Sequence, residues 1–174
     1  MHNMDLSFKQ YIPEDFSPSS RIWIYQSNRL LSIPEVMQAD EILQEFVGQW
    51  ATHGTANKGF ARILFGQFIV LMADESSHTV SGCSTDSSVR VIKQLESLLK
   101  VNLFDRQLLA FVVKDKVQCI PMNQLNYAIE HEFVTADTLY FNNLVQTKQD
   151  FLDKWIIPIS KSWLASKLSL KANA

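Results

Sequence analysis

The sequence predicts an α+β fold in which an antiparallel sheet carries helices on one face, with a ferredoxin-like βαββαβ core and a C-terminal hairpin and helix extension. A strand-like segment, 21–26, precedes an amphipathic helix, and a long apolar run, 60–73, follows that helix. A second amphipathic helix ends near Leu99 and is followed by another strand-like segment, 108–113. This alternation is typical of a split βαβ unit. A different α+β sheet is the alternative, because the order of the strands is not written in the sequence.

The first quarter of the chain predicts a lead-in, a strand and a helix. Residues 1–20 are interrupted by prolines and predict an irregular lead-in, whereas 21–26 are aromatic and β-branched and predict a strand. The segment Ser-Ile-Pro-Glu at 32–35 fits a capping box, with serine at the N-cap and glutamate three residues later. The helix is expected to continue through Trp50 and to close at Gly54.

The middle of the chain predicts a long strand followed by a second helix. The apolar run 60–73 indicates one buried strand, because its blocks favour β structure and Gly66 would weaken a helix. Residues 79–81 are expected to pair back as a short hairpin strand. The second helix is expected to start at 84–86 and to bury one apolar face as far as Leu99.

The last third predicts shorter elements that extend the core. A hairpin, a short helix, a strand and a last helix are expected at 108–120, 124–129, 138–141 and 147–156. The tail is rich in lysine, serine and alanine and is expected to fray. We interpret the chain as a single domain, 1–174, made of the lead-in 1–20, the core 21–114, the extension 115–165 and the tail 166–174.

Composition excludes several functional classes. The 174 residues carry a formal net charge of −2 and have no basic run, so no nucleic-acid partner is expected. The longest apolar run, 63–73, falls short of the roughly 20 residues of a membrane helix, so no membrane insertion is expected. The N-terminus lacks a signal-peptide pattern, and the two cysteines form no disulfide framework. These features favour a cytoplasmic location.

Several segments carry a resemblance to a known family. The segments 50–54, 80–89, 103–106 and 141–145, together with Ser162-Trp163, resemble a family of small bacterial proteins that often carry the label "ABC transporter ATPase". The label implies hydrolysis of ATP, which would need a Gly-x-x-x-x-Gly-Lys-Ser/Thr loop.

The residues of this chain do not supply that loop. Gly54 and Gly59 have the glycine spacing, but Phe60-Ala61 stand where the lysine and the hydroxyl are needed. The run 68–75 resembles a Walker B strand, and the Ser81-Gly82 pair matches part of the transporter signature Leu-Ser-Gly-Gly-Gln. In true ABC transporter ATPases the signature comes before Walker B, whereas here the Ser-Gly pair comes after the run. A site that hydrolyses nucleotides is therefore not expected.

Cys83 is the sharpest candidate for catalysis. It lies just ahead of a predicted helix N-terminus, where unpaired amides and the helix dipole lower the pKa of a thiol. A cysteine-dependent enzyme would also need a base, which His53 or His78 could supply. The simpler interpretation is a small buried residue that fills space beneath the helix. Asp86, close by, would oppose formation of the thiolate.

The same turn is a candidate anion site. Ser81, Gly82, Ser84 and Thr85 could hold an anion with hydroxyls and backbone amides. The alternative is plain helix capping, for which Ser84, Thr85 or Asp86 would suffice. No spacing of histidines or cysteines matches a metal site, so neither a metal nor another cofactor is expected.

These observations favour a non-enzymatic domain that binds a partner protein or a small anionic ligand, with the Cys83 enzyme as the alternative. Trp155 and Trp163 lie near Pro158, in a C-terminal segment that could fold over the sheet or present a partner surface. A homodimer formed through an exposed sheet edge is compatible with either function.

Overall fold

The computed structural model describes residues 3–52, 55–56, 58–74 and 82–172. Its helices and antiparallel sheets confirm the α+β class. In the described residues the helices are α1 Ile33–Gln49, α2 Gly82–Leu99, α3 Leu125–Glu130, α4 Lys148–Lys154 and α5 Ala165–Ala172. The strands are β1 Arg21–Gln26, β2 Ala51–Thr52, β3 Thr55–Ala56, β4 Lys58–Leu64, β5 Phe68–Asp74, β6 Leu108–Val113, β7 Lys116–Pro121, β8 Leu139–Phe141 and β9 Ile156–Pro158.

The chain divides into two compact units. The N-terminal unit consists of Phe8–Asp105 and Leu144–Leu152, and the C-terminal unit consists of Met1–Ser7, Arg106–Asn143 and Asp153–Ala174. The N-terminal unit contains a three-stranded sheet of order β1-β5-β4 and the small β2-β3 pair, and the C-terminal unit contains a four-stranded sheet of order β7-β6-β8-β9. Neighbouring strands are antiparallel throughout.

The ferredoxin-like arrangement is not confirmed, because its strands were expected at 21–26, 60–73, 79–81 and 108–113, and among the described residues only the first and the last of these are strands with those bounds. β1, β4 and β5 pair as the first three strands of a βαββαβ sheet would, with the third strand in the centre. The expected fourth strand, β6, pairs with β7 and β8 instead. Only two residues separate β6 from β7, so the local hairpin forms without a long loop closure.

The apolar run expected as one strand is a hairpin. β4 and β5 pair from Lys58↔Asp74 to Leu64↔Phe68 around a turn whose residues Phe65 and Gly66 have φ values of 56° and 62°. Gly66 adopts this left-handed conformation without strain, whereas Phe65 does not. The second and third strands of the core are therefore β4 and β5. The expected strand at 79–81 lies outside the described residues.

The capping box of α1 is confirmed. The Glu35 amide donates to Ser32 Oγ at 3.3 Å, and the Ser32 amide donates to Glu35 Oε2 at 2.7 Å. The helix ends at Gln49, and Trp50 follows in an extended conformation, so the expected closure at Gly54 is wrong. Trp50 is buried beside Trp23 and Phe46, and this packing explains why the chain leaves the helix there.

Glu35 also joins α1 to the preceding loop. Arg29 Nη2 and Nη1 lie 2.8 Å and 3.0 Å from Glu35 Oε1 and Oε2, which is a bidentate pair. The Arg29 guanidinium and the Ser32 amide lower the pKa of Glu35 from 4.5 to about 2. The carboxylate is therefore charged across the ordinary pH range.

We expect Glu35→Gln to destabilise the protein at pH 7 and to lose this effect in acid. The folded-state pKa of Glu35 lies below its unfolded value, so its contribution is present above pH 4.5 and is lost as pH falls toward 2. Urea titrations of both proteins at pH 7, 4.5 and 3 measure the difference. Glu41→Gln, an exposed glutamate of the same helix, is the control. A difference that does not shrink between pH 4.5 and 3 would contradict the proposed role of the charge.

The two helices pack on one face of the three-stranded sheet. Leu43 of α1 and Leu95 of α2 belong to one buried cluster with Ile69 and Leu71 of β5. The neighbouring residues of β5, such as Val70, point to the opposite face and are also fully buried.

The lead-in covers part of that opposite face. It is irregular as expected, apart from a short 3₁₀ turn at Lys9–Tyr11. The Phe16 ring lies edge-on to the Phe60 ring, with the two ring centroids 6.4 Å apart. The Arg62 guanidinium carbon lies 4.1 Å from the centroid of the Tyr11 ring. From Phe8 onward, the lead-in is thus part of the core packing of the N-terminal unit.

A buried lysine fastens the lead-in. Lys148, at the start of α4, is only 7% exposed, and its Nζ donates to the carbonyls of Pro13 at 2.7 Å and Phe16 at 2.8 Å. The Glu14 carbonyl is a longer contact at 3.4 Å. The backbone amide of Lys148 donates to the Ser20 carbonyl at 2.8 Å. Main-chain dipoles therefore compensate the buried charge.

The C-terminal unit has its own core beneath its sheet. Phe111 and Tyr140 pack with Ile159 and Leu164 from the last part of the chain. The residues from Ala165 to Ala172 form α5, so the described part of the tail is helical, and its fraying stays a prediction. In the described part of the chain, no helix has the length and apolar character needed to cross a membrane.

Trp155 and Trp163 differ in exposure. Trp155 is fully buried, and its indole donates to Asn143 Oδ1 at 2.9 Å, so of the two alternatives Trp155 does not form part of a partner surface. Trp163 is 43% exposed, and its indole donates to the Tyr140 hydroxyl at 3.1 Å. Trp163 alone stays a candidate for such a surface.

Candidate functional site

The turn predicted as the functional site leads directly into α2. The helix begins at Gly82, which places the backbone of Cys83 and Ser84 in its first turn. Ser81, His53 and His78 lie outside the described residues, as do the side chains of Cys83 and Ser84. β2 lies beside α2, so the chain just before His53 approaches this helix. The pairing of Cys83 with His53 stays a prediction.

The expected capping of α2 is wrong in its position. Because the helix begins at Gly82, Thr85 and Asp86 lie within it rather than at the expected N-cap. The buried Ser88 hydroxyl donates to the Thr85 carbonyl at 2.6 Å, which is a bond within the helix. Anion binding by Ser81, Gly82, Ser84 and Thr85 stays a prediction.

A shallow groove between α1 and α2 is lined by residues of α2 that follow this turn closely. It has a volume of about 340 Å³ and includes Ser87 and Arg90 of α2. Glu45 of α1 lines the same groove, so an acid stands beside the arginine. An anion there would meet both charges, and the site offers little net attraction.

A larger and more apolar groove lies in the C-terminal unit, between β7 and α3. Its volume is about 520 Å³. Its walls come from the β6–β7 hairpin, from α3 and from the turn after α3. The lining residues are Val113, Lys114, Lys116, Gln118, Cys119, Ile120, Pro121, Gln124, Tyr127, Ala128 and Phe133.

The hairpin turn fixes which side chains of β7 face the groove. Lys114 and Asp115 have φ values of 51° and 59°, the left-handed pair that a type I′ turn needs. In the register of β6 and β7, Val113 pairs with Lys116 and Phe111 pairs with Gln118. Because paired residues point to the same face of a sheet, Gln118 lies on the face of Phe111, which carries the buried core of the unit. Cys119, one residue further, lies on the opposite face by strand alternation, so its backbone borders the groove. The predicted hairpin is confirmed.

The outer edge of β7 is partly covered. Because the turn has two residues, Val113 and Lys116 form a hydrogen-bonded pair across the hairpin. Hydrogen-bonded and non-hydrogen-bonded pairs alternate along the strands, so the amide and carbonyl of Cys119 point away from β6. Gln118 Nε2 donates to this Cys119 carbonyl at 3.3 Å. Pro121 occupies the next outward position and has no N–H to offer.

The turn after α3 places Phe133 over the groove. Glu132 has a φ of 59°, its amide donates to the Ile129 carbonyl at 3.2 Å, and the Phe133 amide donates to the Ala128 carbonyl at 2.8 Å. These bonds form a Schellman motif, which reverses the chain at the end of a helix. Phe133 is thereby directed back along α3, toward Tyr127.

Three aromatic rings lie together at the end of α3, and those of Tyr127 and Phe133 line the groove. The His131 ring stacks on Tyr127 with centroids 3.9 Å apart and planes 24° from parallel, and His131 Nδ1 lies 3.0 Å from the Tyr127 carbonyl oxygen. The Phe133 ring lies 6.5 Å from Tyr127 with planes 20° from parallel. Tyr127 is 59% exposed and Phe133 is 60% exposed. Two large and partly exposed aromatic rings therefore border the groove.

The charges on the lining have one sign. Among the described residues that border the groove, the charged ones are Lys114 and Lys116, both exposed at the hairpin end. Neither lysine takes part in an ion pair within the described chain. Asp115 stands between them in sequence, and its Oδ1 accepts the Met4 amide at 3.4 Å. The hairpin end of the groove is thus a region of positive charge.

Within the described ranges, no cluster of three or more histidine, cysteine, aspartate or glutamate side chains could hold a metal ion. No family model, curated protein or solved structure matches the chain.

The groove is not among the sites predicted from the sequence, although Tyr127, His131 and Phe133 offer a signal for it. Three aromatic rings within seven residues of a polar segment are more than a small helix needs for its core.

Proposed function

We propose that the chain is a non-catalytic binding domain and that the groove between β7 and α3 takes a small apolar carboxylate. The observation that carries this proposal is an apolar groove bordered at one end by Lys114 and Lys116, which form no ion pair with any described residue. Its volume of about 520 Å³ lies within the range of small-molecule sites, roughly 300–1,000 Å³.

The charges support an anionic ligand. Two ammonium groups that have no carboxylate partner in the described part of the chain attract an anion and repel a cation. Each exposed pairing is worth about 0.2–1 kcal/mol, so the lysines set preference and orientation, while the apolar walls supply most of the affinity.

The edge of β7 favours a small molecule over an added peptide strand. A peptide that pairs with β7 must displace Gln118 from the Cys119 carbonyl and finds no donor at Pro121. Proline and lysine on an edge strand are common features that oppose strand addition. The groove beside the edge stays open, since it is lined by side chains on the helix-facing side of the sheet.

A matched pair of probes tests the proposal. We expect octanoate to bind more tightly than octanamide, which has the same chain and no charge. Lys114→Asn combined with Lys116→Gln should weaken octanoate binding about three- to tenfold and leave octanamide unchanged. Asparagine suits the left-handed turn position of Lys114. Amide shifts in two-dimensional NMR locate the site, which should fall within residues 113–133.

Lys93→Gln, an exposed lysine of α2, is the control and should change neither affinity. Octanoate shifts that fall outside residues 113–133, or equal affinities for the two probes, would contradict the proposal.

A further inference from the structure

We propose that the ligand of this groove carries a flat aromatic ring, which lies against Tyr127 and Phe133 while its carboxylate points toward Lys114 and Lys116. This inference rests on the proposed function and specifies the ligand class. It follows from the orientation of the two rings rather than from the volume or the charge of the groove.

The backbone of α3 and of the turn after it fixes where the two rings are attached before any ligand binds. The Schellman motif at Glu132 holds Phe133, and the stacked His131 ring supports one face of Tyr127. Side chains that are already positioned lose little conformational entropy on binding. The wall is therefore preorganised for a ligand of matching shape.

The near-parallel planes select a planar ligand. The Tyr127 and Phe133 planes differ by only 20°, so one flat ring system can lie parallel to both. A saturated ring is puckered and cannot make face contact with both planes. Aromatic pairs gain about 0.5–1.5 kcal/mol beyond the burial of area, which corresponds to roughly two- to tenfold in affinity.

The lysines and the rings stand at different parts of the groove. Lys114 and Lys116 belong to the hairpin, whereas Tyr127 and Phe133 belong to α3 and its turn. A ligand that satisfies both has a charged end and an aromatic end. Aryl carboxylates have this form.

A comparison of 2-naphthoate with decahydro-2-naphthoate isolates the contribution of the aromatic ring. Both have the same carbon skeleton and charge, but only the first is aromatic and planar. We expect 2-naphthoate to bind about fivefold more tightly, with shifts at residues 124–133. Tyr127→Leu and Phe133→Leu keep the wall apolar, so each should reduce this ratio toward one while decahydro-2-naphthoate still binds.

Tyr11→Leu, an exposed tyrosine of the N-terminal unit, should leave the ratio unchanged. Equal affinities of the two naphthalene probes at the same residues would overturn this inference and leave the proposed function standing. Failure of both probes and of octanoate to bind in the groove would overturn the proposed function as well.

Discussion

Lys148→Met is expected to lower the free energy of unfolding by about 3 kcal/mol. The substitution removes the ammonium group that bonds the Pro13 and Phe16 carbonyls at 2.7 Å and 2.8 Å. A hydrogen bond to a charged group is worth about 1.5–3 kcal/mol, and a buried acceptor left without a donor costs about 1–3 kcal/mol. The carbonyls belong to the backbone, so no side-chain change can remove them together with the lysine.

Methionine is close to lysine in length and removes the cost of burying a charge, which offsets part of the loss. Lys93→Met, an exposed lysine of α2, is the matched control and should stay within about 0.5 kcal/mol of the parent protein. Urea denaturation measures both variants. Hydrogen exchange should show faster opening of residues 8–20 in Lys148→Met. A loss below 1 kcal/mol would mean that the carbonyls find other donors and that the lysine does not fasten the lead-in.

Local signals in the sequence predicted local features correctly. Ser32 and Glu35 mark the start of α1 because a capping box needs only four neighbouring residues. Thr147 marks the start of α4 for a similar reason, since its Oγ1 accepts the Asp150 amide at 3.2 Å. The turn at Lys114 and Asp115 is also a property of a few residues.

Predictions that depended on distant packing were less successful. The β4–β5 turn was missed because β5 is buried on both faces, which removes the polar alternation that would separate two strands. Gly66 is the residue in the sequence that signals this turn, but by itself it argues only against a helix. The membership of β6 in a second sheet depends on its pairing with β7 and β8, and nothing in 108–113 alone specifies those partners.

The groove shows the same limit for function. Its lining combines the β6–β7 hairpin with α3 and the turn after it, and the sequence does not show that these segments face one another. The sequence drew attention instead to Cys83, whose residue type suggests chemistry by itself. The expectation of a small anionic ligand survives as a proposal, at a different place in the chain.

Leu43→Ala is expected to lower the free energy of unfolding by about 3–4 kcal/mol. Leu43 is fully buried in α1 and shares a cluster with Ile69, Leu71 and Leu95. Truncation removes three carbon atoms from a site enclosed by a sheet and a second helix, so the cavity can collapse only partly. Met37→Ala, on the same helix and 63% exposed, is the control and should stay within about 0.5 kcal/mol.

The same variant tests the prediction of a single domain. Leu43 and β5 belong to the N-terminal unit, whereas β6 belongs to the C-terminal unit. If the chain unfolds as one cooperative domain, native-state hydrogen exchange should show protection falling by the same free energy in β5 and β6. Phe111→Ala, in the core of the C-terminal unit, should then lower protection in both strands as well. Protection lost in β5 alone after Leu43→Ala would mean that the two units unfold separately and that the single-domain prediction is wrong.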